Sequence, residues 1–422
     1  MVPFLESKRT LGVRSVPRLK GNKEILNNMK NQFKLLLGTA LVILSACVLS
    51  PELRAADAAA KQFVITNNNL SAANTISALA LSSGSLKFLT SLDTGGDGSG
   101  GGSFAIPRAV LYLHGADKCG FFSDAGSSDI AAFKEVTNGG KKVGNFKDPK
   151  GSGGSGTSGG IGLTTAGNYL FAGYAGSSNI GVWKILTGCK LKLLGTKTIP
   201  SPTAGMRVTP DGKTVVVAYG YGANQVDSFS VGADGKLTEN GPYAATAGAA
   251  GVDITKDGKY AIFGDAVGTS TEIEIYPINA DGSLGKDNNF GGDGSLGAGV
   301  DSSDVWLSPN EKFLYVSNNL SAEVTSLQFS ENPLGLSYGN ITALKDAKEI
   351  ISIAEVTTSA ATGNGGYLYL SEYSDPDSFV ALLKINSDGS TTEVAGSPFA
   401  ITVSEGGGPG LQSLVAYPIR GF

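Results

Sequence analysis

The stretch MRVTPDGKTVVVAYG, residues 206–220, decides the fold. It reads as a short strand, a Pro-Asp-Gly turn and a second strand of four apolar residues, two elements too short to bury a face alone. The phrase returns as VDITKDGKYAIFGD at 252–265 and VWLSPNEKFLYVSNN at 305–319. Weaker copies are GLTTAGNYLFAGY at 162–174 and EVTTSAATGNGGYLYLSE at 355–372. A supersecondary unit that recurs at fixed spacing buries its apolar faces against its own neighbours.

Working outward, the middle of the second strand is assigned to Val64, Tyr112, Phe171, Val216, Ile262, Tyr315 and Tyr369. These anchors define seven units of roughly 50 residues, the length of four short strands with turns. Third strands alternate apolar and polar residues, as in 179–183, 272–276 and 323–327, and hairpin signals follow at Asp234-Gly235, Asp281-Gly282 and Asp388-Gly389. A weaker fourth strand ends each unit. Radial closure limits the exposed edges that an open array of such sheets would leave. The sequence therefore predicts an all-β, seven-bladed propeller over residues 62–422.

The chain ends suggest how the ring shuts. Residues 62–67 (QFVITN) begin at the second-strand position, so the first blade lacks its innermost strand. The final residues, 411–422 (LQSLVAYPIRGF), align on Pro with SSDVWLSPNEKF, a first-strand phrase with no blade of its own. The tail is expected to complete blade one.

Composition agrees. Gly accounts for 60 of 422 residues and charged residues for only 17%, with a net charge of −4. Short strands and tight turns suit this balance; long amphipathic helices do not. The charge gives no reason to expect nucleic acid as a partner, or an anionic membrane surface.

Lys30 and Lys34 precede an apolar run at 35–49, then Ser50-Pro51 and small residues through 60. This is the form of an export signal, too short to span a bilayer comfortably. Met29 stands just before it, so residues 1–28 read as an upstream over-extension and 29–58 as the signal peptide. Two exits compete: a lipobox, Leu44-Ser45-Ala46-Cys47, with Cys47 as the lipidated residue, and an Ala56-Asp57-Ala58 cleavage giving a soluble product. Either way the mature protein is expected outside the cytoplasm, in the periplasm, the envelope or the medium, and as a monomer. Lipid anchorage would then be its sole membrane attachment. Cys119 and Cys189 remain; the blade assignment puts them on loops at opposite ends of their blades, which argues against a disulfide.

The phrases PDGK at 210–213, YVSNN at 315–319, FVITNNN at 63–69 and EVAGSPFAI at 393–401 resemble the seven-bladed lactonase-like propellers. That family holds 6-phosphogluconolactonase-type and muconate-cyclising enzymes, and its scaffold phrases are shared with noncatalytic YVTN-type surface propellers. The resemblance spans 62–422 and implies a site at the mouth of the central channel, a lactone substrate and no cofactor. Family enzymes usually carry His, Arg and acidic residues there. Here the stretch ahead of the PDG turn reads Pro202-Thr203-Ala204-Gly205-Met206-Arg207, and the one His, His114, is placed at a second-strand end.

Lactone hydrolysis needs a base for water and a cation or donor for the developing oxyanion. The aligned first strands put Arg207 and Asp253 near the channel, with Asp304 as a further acid; these three are the candidate catalytic residues. Asp375 and Asp377 read as a turn rather than a Ca²⁺ site. The Gly-rich stretches 95–103 and 151–160 read as flexible connectors, since they lack the Lys-Ser/Thr of a phosphate loop. Trp183 and Trp306 read as blade-packing residues. Two functions stay open: a lactonase-like hydrolase, metal-free or with an opportunistic divalent ion, or a noncatalytic propeller binding a protein, glycan or small envelope ligand through loops at 116–127 and 372–378.

Overall fold

A computed structural model describes residues 62–101, 109–114, 116–156, 159–220, 222–245, 248–345, 347, 349–357, 366–374, 377–401 and 413–417. The proposed over-extension, the signal peptide, Cys47, Arg108, Asp375, Pro418 and Arg420 lie outside them.

Seven antiparallel sheets are present. Blade one comprises β1 (Phe63–Asn67), β2 (Thr75–Ser82) and β3 (Ser85–Asp93), and blade two β4 (Ala109–Tyr112), β5 (Cys119–Asp124), β6 (Asp129–Lys134) and β7 (Lys141–Lys147). Blade three is β8 (Ile161–Ala166), β9 (Tyr169–Tyr174), β10 (Asn179–Leu186) and β11 (Lys190–Thr198). Blade four runs β12 (Gly205–Val208), β13 (Thr214–Ala218), β14 (Gln225–Val231), β15 (Leu237–Glu239) and β16 (Tyr243–Ala244). Blade five is β17 (Ala249–Ile254), β18 (Tyr260–Asp265), β19 (Ile273–Pro277) and β20 (Asn288–Phe290), and blade six β21 (Ser302–Leu307), β22 (Phe313–Asn318), β23 (Glu323–Glu331) and β24 (Leu334–Ala343). Blade seven is β25 (Glu349–Thr357), β26 (Gly366–Ser374), β27 (Asp377–Ile385), β28 (Thr391–Glu393) and β29 (Phe399–Ala400); β30 (Ser413–Tyr417) is the tail strand.

The tail closes the ring. β30 pairs with β1 in the register Phe63↔Tyr417 to Asn67↔Ser413, giving the order β3-β2-β1-β30. Apolar clusters lie between neighbouring blades, and the cluster joining Val64 and Leu414 to Tyr369 and Leu382 ties blade one to blade seven. Every blade thus has an apolar contact on both faces, which its near-continuous apolar inner strands supply by pointing successive buried side chains to opposite sides.

The turn chemistry is as the repeat implies. Gly212 and Gly258, in the first turns of blades four and five, have φ of 72° and 75°. Glu311 holds the equivalent place in blade six at φ 54°, a left-handed conformation that a residue with Cβ adopts at some cost. Its carboxylate accepts a hydrogen bond from Lys256 N, tying the turns of blades five and six.

Blade two departs from the sequence reading. Tyr112 lies on β4, the innermost strand, and the second strand is β5. This moves Cys119 from the far end of the blade to the end where strands one and two turn, the end that also holds Cys189 between strands three and four of blade three. The two are joined in a disulfide, with Cα atoms 5.5 Å apart, correcting the expectation of unbonded cysteines. His114 moves likewise: it follows an innermost strand and is exposed, its ring 5.3 Å from that of Tyr112.

Two further expectations change. The 116–127 segment is no open loop, since it contains the fully buried β5, and 372–378 includes the ends of the paired strands β26 and β27. The described parts of the Gly-rich stretches are packed rather than loose. A Cβ at Gly98 would meet the Asn69 backbone at 2.4 Å, and one at Gly153 would meet Ala125 O at 2.4 Å. Gly98 and Gly153 serve close approach between segments, whereas Gly101 and Gly156 have open space where a Cβ would stand.

Candidate functional site

Register identifies which side chains share one level of the inner wall. Thr165, Val208, Ile254 and Leu307 pair with Leu170, Val215, Ala261 and Leu314 at the same point of their blades. One residue earlier stand Thr164, Arg207, Asp253 and Trp306, on the innermost strands of four consecutive blades.

These side chains link each strand to the next. Thr164 Oγ1 accepts from Val208 N at 3.2 Å, and Asp253 Oδ2 accepts from Leu307 N at 2.8 Å. Arg207 has no acceptor to repeat that bond, so it turns to the next acid: its Nη2 lies 3.4 Å from Asp253 Oδ1. The Trp306 ring lies on the same guanidinium, 5.4 Å from Cζ, at cation–π distance. Glycine brings the strands this close. A Cβ at Gly205 would fall 2.0 Å from Ala250 O, and one at Gly251 would fall 2.5 Å from Asp304.

Burial separates the two acids. The Asp253 side chain is 1% exposed and that of Arg207 is 23% exposed. Asp253 also accepts from Ile254 N at 2.9 Å, so its carboxylate serves two backbone donors and one guanidinium. Asp304 is half-buried, two residues before Trp306 and hence on the same face of β21, with Oδ1 accepting from Val305 N at 3.0 Å. Arg207 Nε is buried and has no acceptor among the described residues.

The structure therefore brings Arg207 and Asp253 together and sets Asp304 on the adjoining strand. The role of Trp306 was missed in the sequence, although its place in the aligned first strands matches Arg207 and Asp253. Trp183, by contrast, is a core residue at 2% exposure. Among the described residues no group of three or more His, Cys, Asp or Glu side chains is gathered as for a metal ion.

Other buried acids lie away from this wall. Asp124, at the end of β5, is pushed up to about 7 by burial, against the donors Asn74 Nδ2 at 2.7 Å and Thr94 Oγ1 at 2.8 Å. Asp227 is pushed up to about 6, again by burial, while accepting from the Tyr219 hydroxyl at 2.9 Å. Asp124 belongs to a belt of buried polar residues at the ends of the second strands, with Asn67, Tyr174, Tyr219, Asp265 and Asn318. Asn67 Nδ2 donates to Ser123 O at 2.7 Å, so the belt also links blades one and two.

No family model and no curated protein matches the sequence. Solved structures do match. A provisionally named 6-phosphogluconolactonase from Bacteroides fragilis superposes with a TM-score of 0.62 at 18% identity, over 84% of this chain and 98% of that one. The fold is that of the lactonase-like propellers. Another provisionally named 6-phosphogluconolactonase, from Bacteroides uniformis, gives 0.64 at 14% identity over 84% and 100% of the two chains. A periplasmic gluconolactonase from Pseudomonas aeruginosa gives 0.58 at 12% identity over 85% and 99%. At these identities the likeness to lactonase-like propellers is one of fold.

Proposed function

We propose that this chain is an exported lactone hydrolase acting on the inner wall of its propeller. The observation that carries the reading is Arg207: partly exposed, held by Asp253 and Trp306, and with a buried Nε that has no acceptor among the described residues. A guanidinium fixed in advance is suited to the charge that grows on a carbonyl oxygen under attack. Asp304 is the base. It takes a proton from water as the water oxygen bonds to the lactone carbonyl carbon; the ring C–O bond then breaks as Asp304 returns that proton to the ring oxygen, giving a hydroxy acid. Asp253 is a positioning residue, because its buried carboxylate is already engaged by Leu307 N, Ile254 N and Arg207.

The test is hydrolysis of a panel of aldono- and acyl-lactones by the purified protein and by Arg207→Ala. The expected loss in kcat/KM is about a hundredfold or more. No turnover of any lactone, or turnover untouched by the substitution, overturns the reading. Export is tested separately, by mass spectrometry of the mature N-terminus: lipidated Cys47 or a chain starting after residue 58 supports it, and an intact chain in the cytoplasm opposes it.

The commitment of Asp304 Oδ1 to Val305 N, and the absence of His from the wall positions described, favour a second reading: a noncatalytic propeller holding an unidentified anionic envelope ligand on Arg207. Aldonate binding without lactone turnover, lost in Arg207→Ala, would select it.

A further inference from the structure

The net charge of −4 conceals a sharp segregation. Between Asp148 and Asp211 the sequence contains no Asp or Glu, while Lys150, Lys184, Lys190, Lys192, Lys197 and Arg207 fall in that span. It includes the whole of blade three, whose outer half presents a face built from β10 and β11.

Lys184 and Lys192 are direct cross-strand partners, and Leu186 is the partner of Lys190 in the same ladder. Residues 184 and 186 lie two apart on one strand and 190 and 192 two apart on the other, so all four share a face. All four are exposed, Leu186 at 39%. A register shift between Val182 and Trp183 leaves Leu194 as the extra residue of a bulge, 42% exposed. None of Lys184, Lys190 and Lys192 makes an ion pair among the described residues. Acids on the flanking blades are engaged elsewhere: on blade four Glu239 pairs with Lys197 at 2.8 Å and Asp234 caps its own turn through Lys236 N, and beside blade two Asp117 accepts from Gly188 N at 2.7 Å while Glu135 pairs with Lys141 at 2.8 Å.

Like charges directly opposite in a ladder repel. Edge protection explains lysines on the outermost strand β11, but neither Lys184 one strand further in nor the two exposed leucines. We propose that this rim of blade three docks on a bilayer surface carrying anionic headgroups. The headgroups relieve the Lys184–Lys192 repulsion, and Leu186 and Leu194 enter the boundary between headgroups and acyl chains. Exposed cations and leucines are interleaved along two paired strands, a pattern that suits a laterally uniform partner offering both charge and apolar depth.

The experiment is co-sedimentation of the full-length protein with phosphatidylcholine vesicles, with and without about 30% phosphatidylglycerol, for wild type and a Lys190→Glu/Lys192→Glu variant. Residues 1–58, whose nine Lys and Arg also attract anionic lipid, are common to both proteins, so the difference between them reports the rim. Wild type should partition onto the anionic vesicles at least about tenfold better than the variant does, and the difference should shrink at high salt. Circular dichroism confirms that the variant is folded, and Leu194→Ser offers a milder second variant expected to weaken binding severalfold. Equal partitioning onto both vesicle types, an anionic preference that the variants retain in full, or tighter binding of wild type to poly-glutamate than to anionic vesicles at equal charge would each overturn the proposal.

Discussion

Phe63 and Tyr417 stack with ring centroids 4.9 Å apart, although one opens the first strand of the propeller and the other ends its last. Their strands are direct partners, so the stack sits on the joint that makes an open row of sheets into a ring. Such a joint contributes twice: it satisfies the inner edge of β1 and it places Leu414 and Ala416 in the cluster between blades seven and one.

Leu414→Ala tests that joint. Leu414 is 3% exposed, and removing a buried leucine side chain costs about 2–5 kcal/mol. Urea unfolding should show the loss with an unchanged m-value, because the ring unfolds as one unit. A change under about 0.5 kcal/mol would mean that the tail strand lies outside the cooperative core.

The disulfide is a second staple, between blades two and three. Cys119 and Cys189 are 70 residues apart, and closing a loop of that size in the unfolded chain is worth about 4 kcal/mol. Cys119→Ser/Cys189→Ser should therefore lower the thermal midpoint by many degrees, and dithiothreitol should do the same to wild type but not to the variant. A midpoint insensitive to both would show that the bond does not form in the native protein.

The disulfide also shows where the sequence was legible and where it was not. The Pro-Asp-Gly turns, the alternating third strands and the displaced first-strand phrase at the tail are local signals, and they carried the blade number and the closure. Blade two has no such turn. The segments 109–112 and 119–124 are both short and apolar, and taking the first for the second strand inverted the ends of the blade. Cys119 and His114 were misplaced for that single reason. At the inner wall, the aligned repeat was enough to bring Arg207 to Asp253. The Trp306 contact and the burial of Asp253 depend on how closely Gly205 and Gly251 let the strands approach, which no single repeat unit encodes.

Stability should fall as pH rises from about 4 to 7. Burial lifts Asp124 to about 7 in the folded chain, against roughly 3.9 in an unfolded one. Between those values the folded state holds a proton that the unfolded state has released, so each rise in pH favours unfolding, by at most about 1.4 kcal/mol per pH unit for one group. Asp227, lifted to about 6, adds the same sign below pH 6. Asp124→Asn should flatten the slope, as measured by chemical denaturation at several pH values. A wild-type stability that climbs through this range would contradict the assignment of a protonated Asp124.

The blade-three rim makes the opposite demand on a single residue. If Lys184 and Lys192 repel in the free protein, Lys192→Glu converts a like-charged cross-strand pair into an attractive one. The gain should be about 0.5 kcal/mol at low ionic strength, shrinking with added salt because both side chains are exposed. The same substitution should weaken binding to anionic vesicles, so stability and docking move in opposite directions. That divergence separates a surface kept for a partner from one that merely guards an edge: an edge guard replaced by another charge should leave vesicle binding where it was.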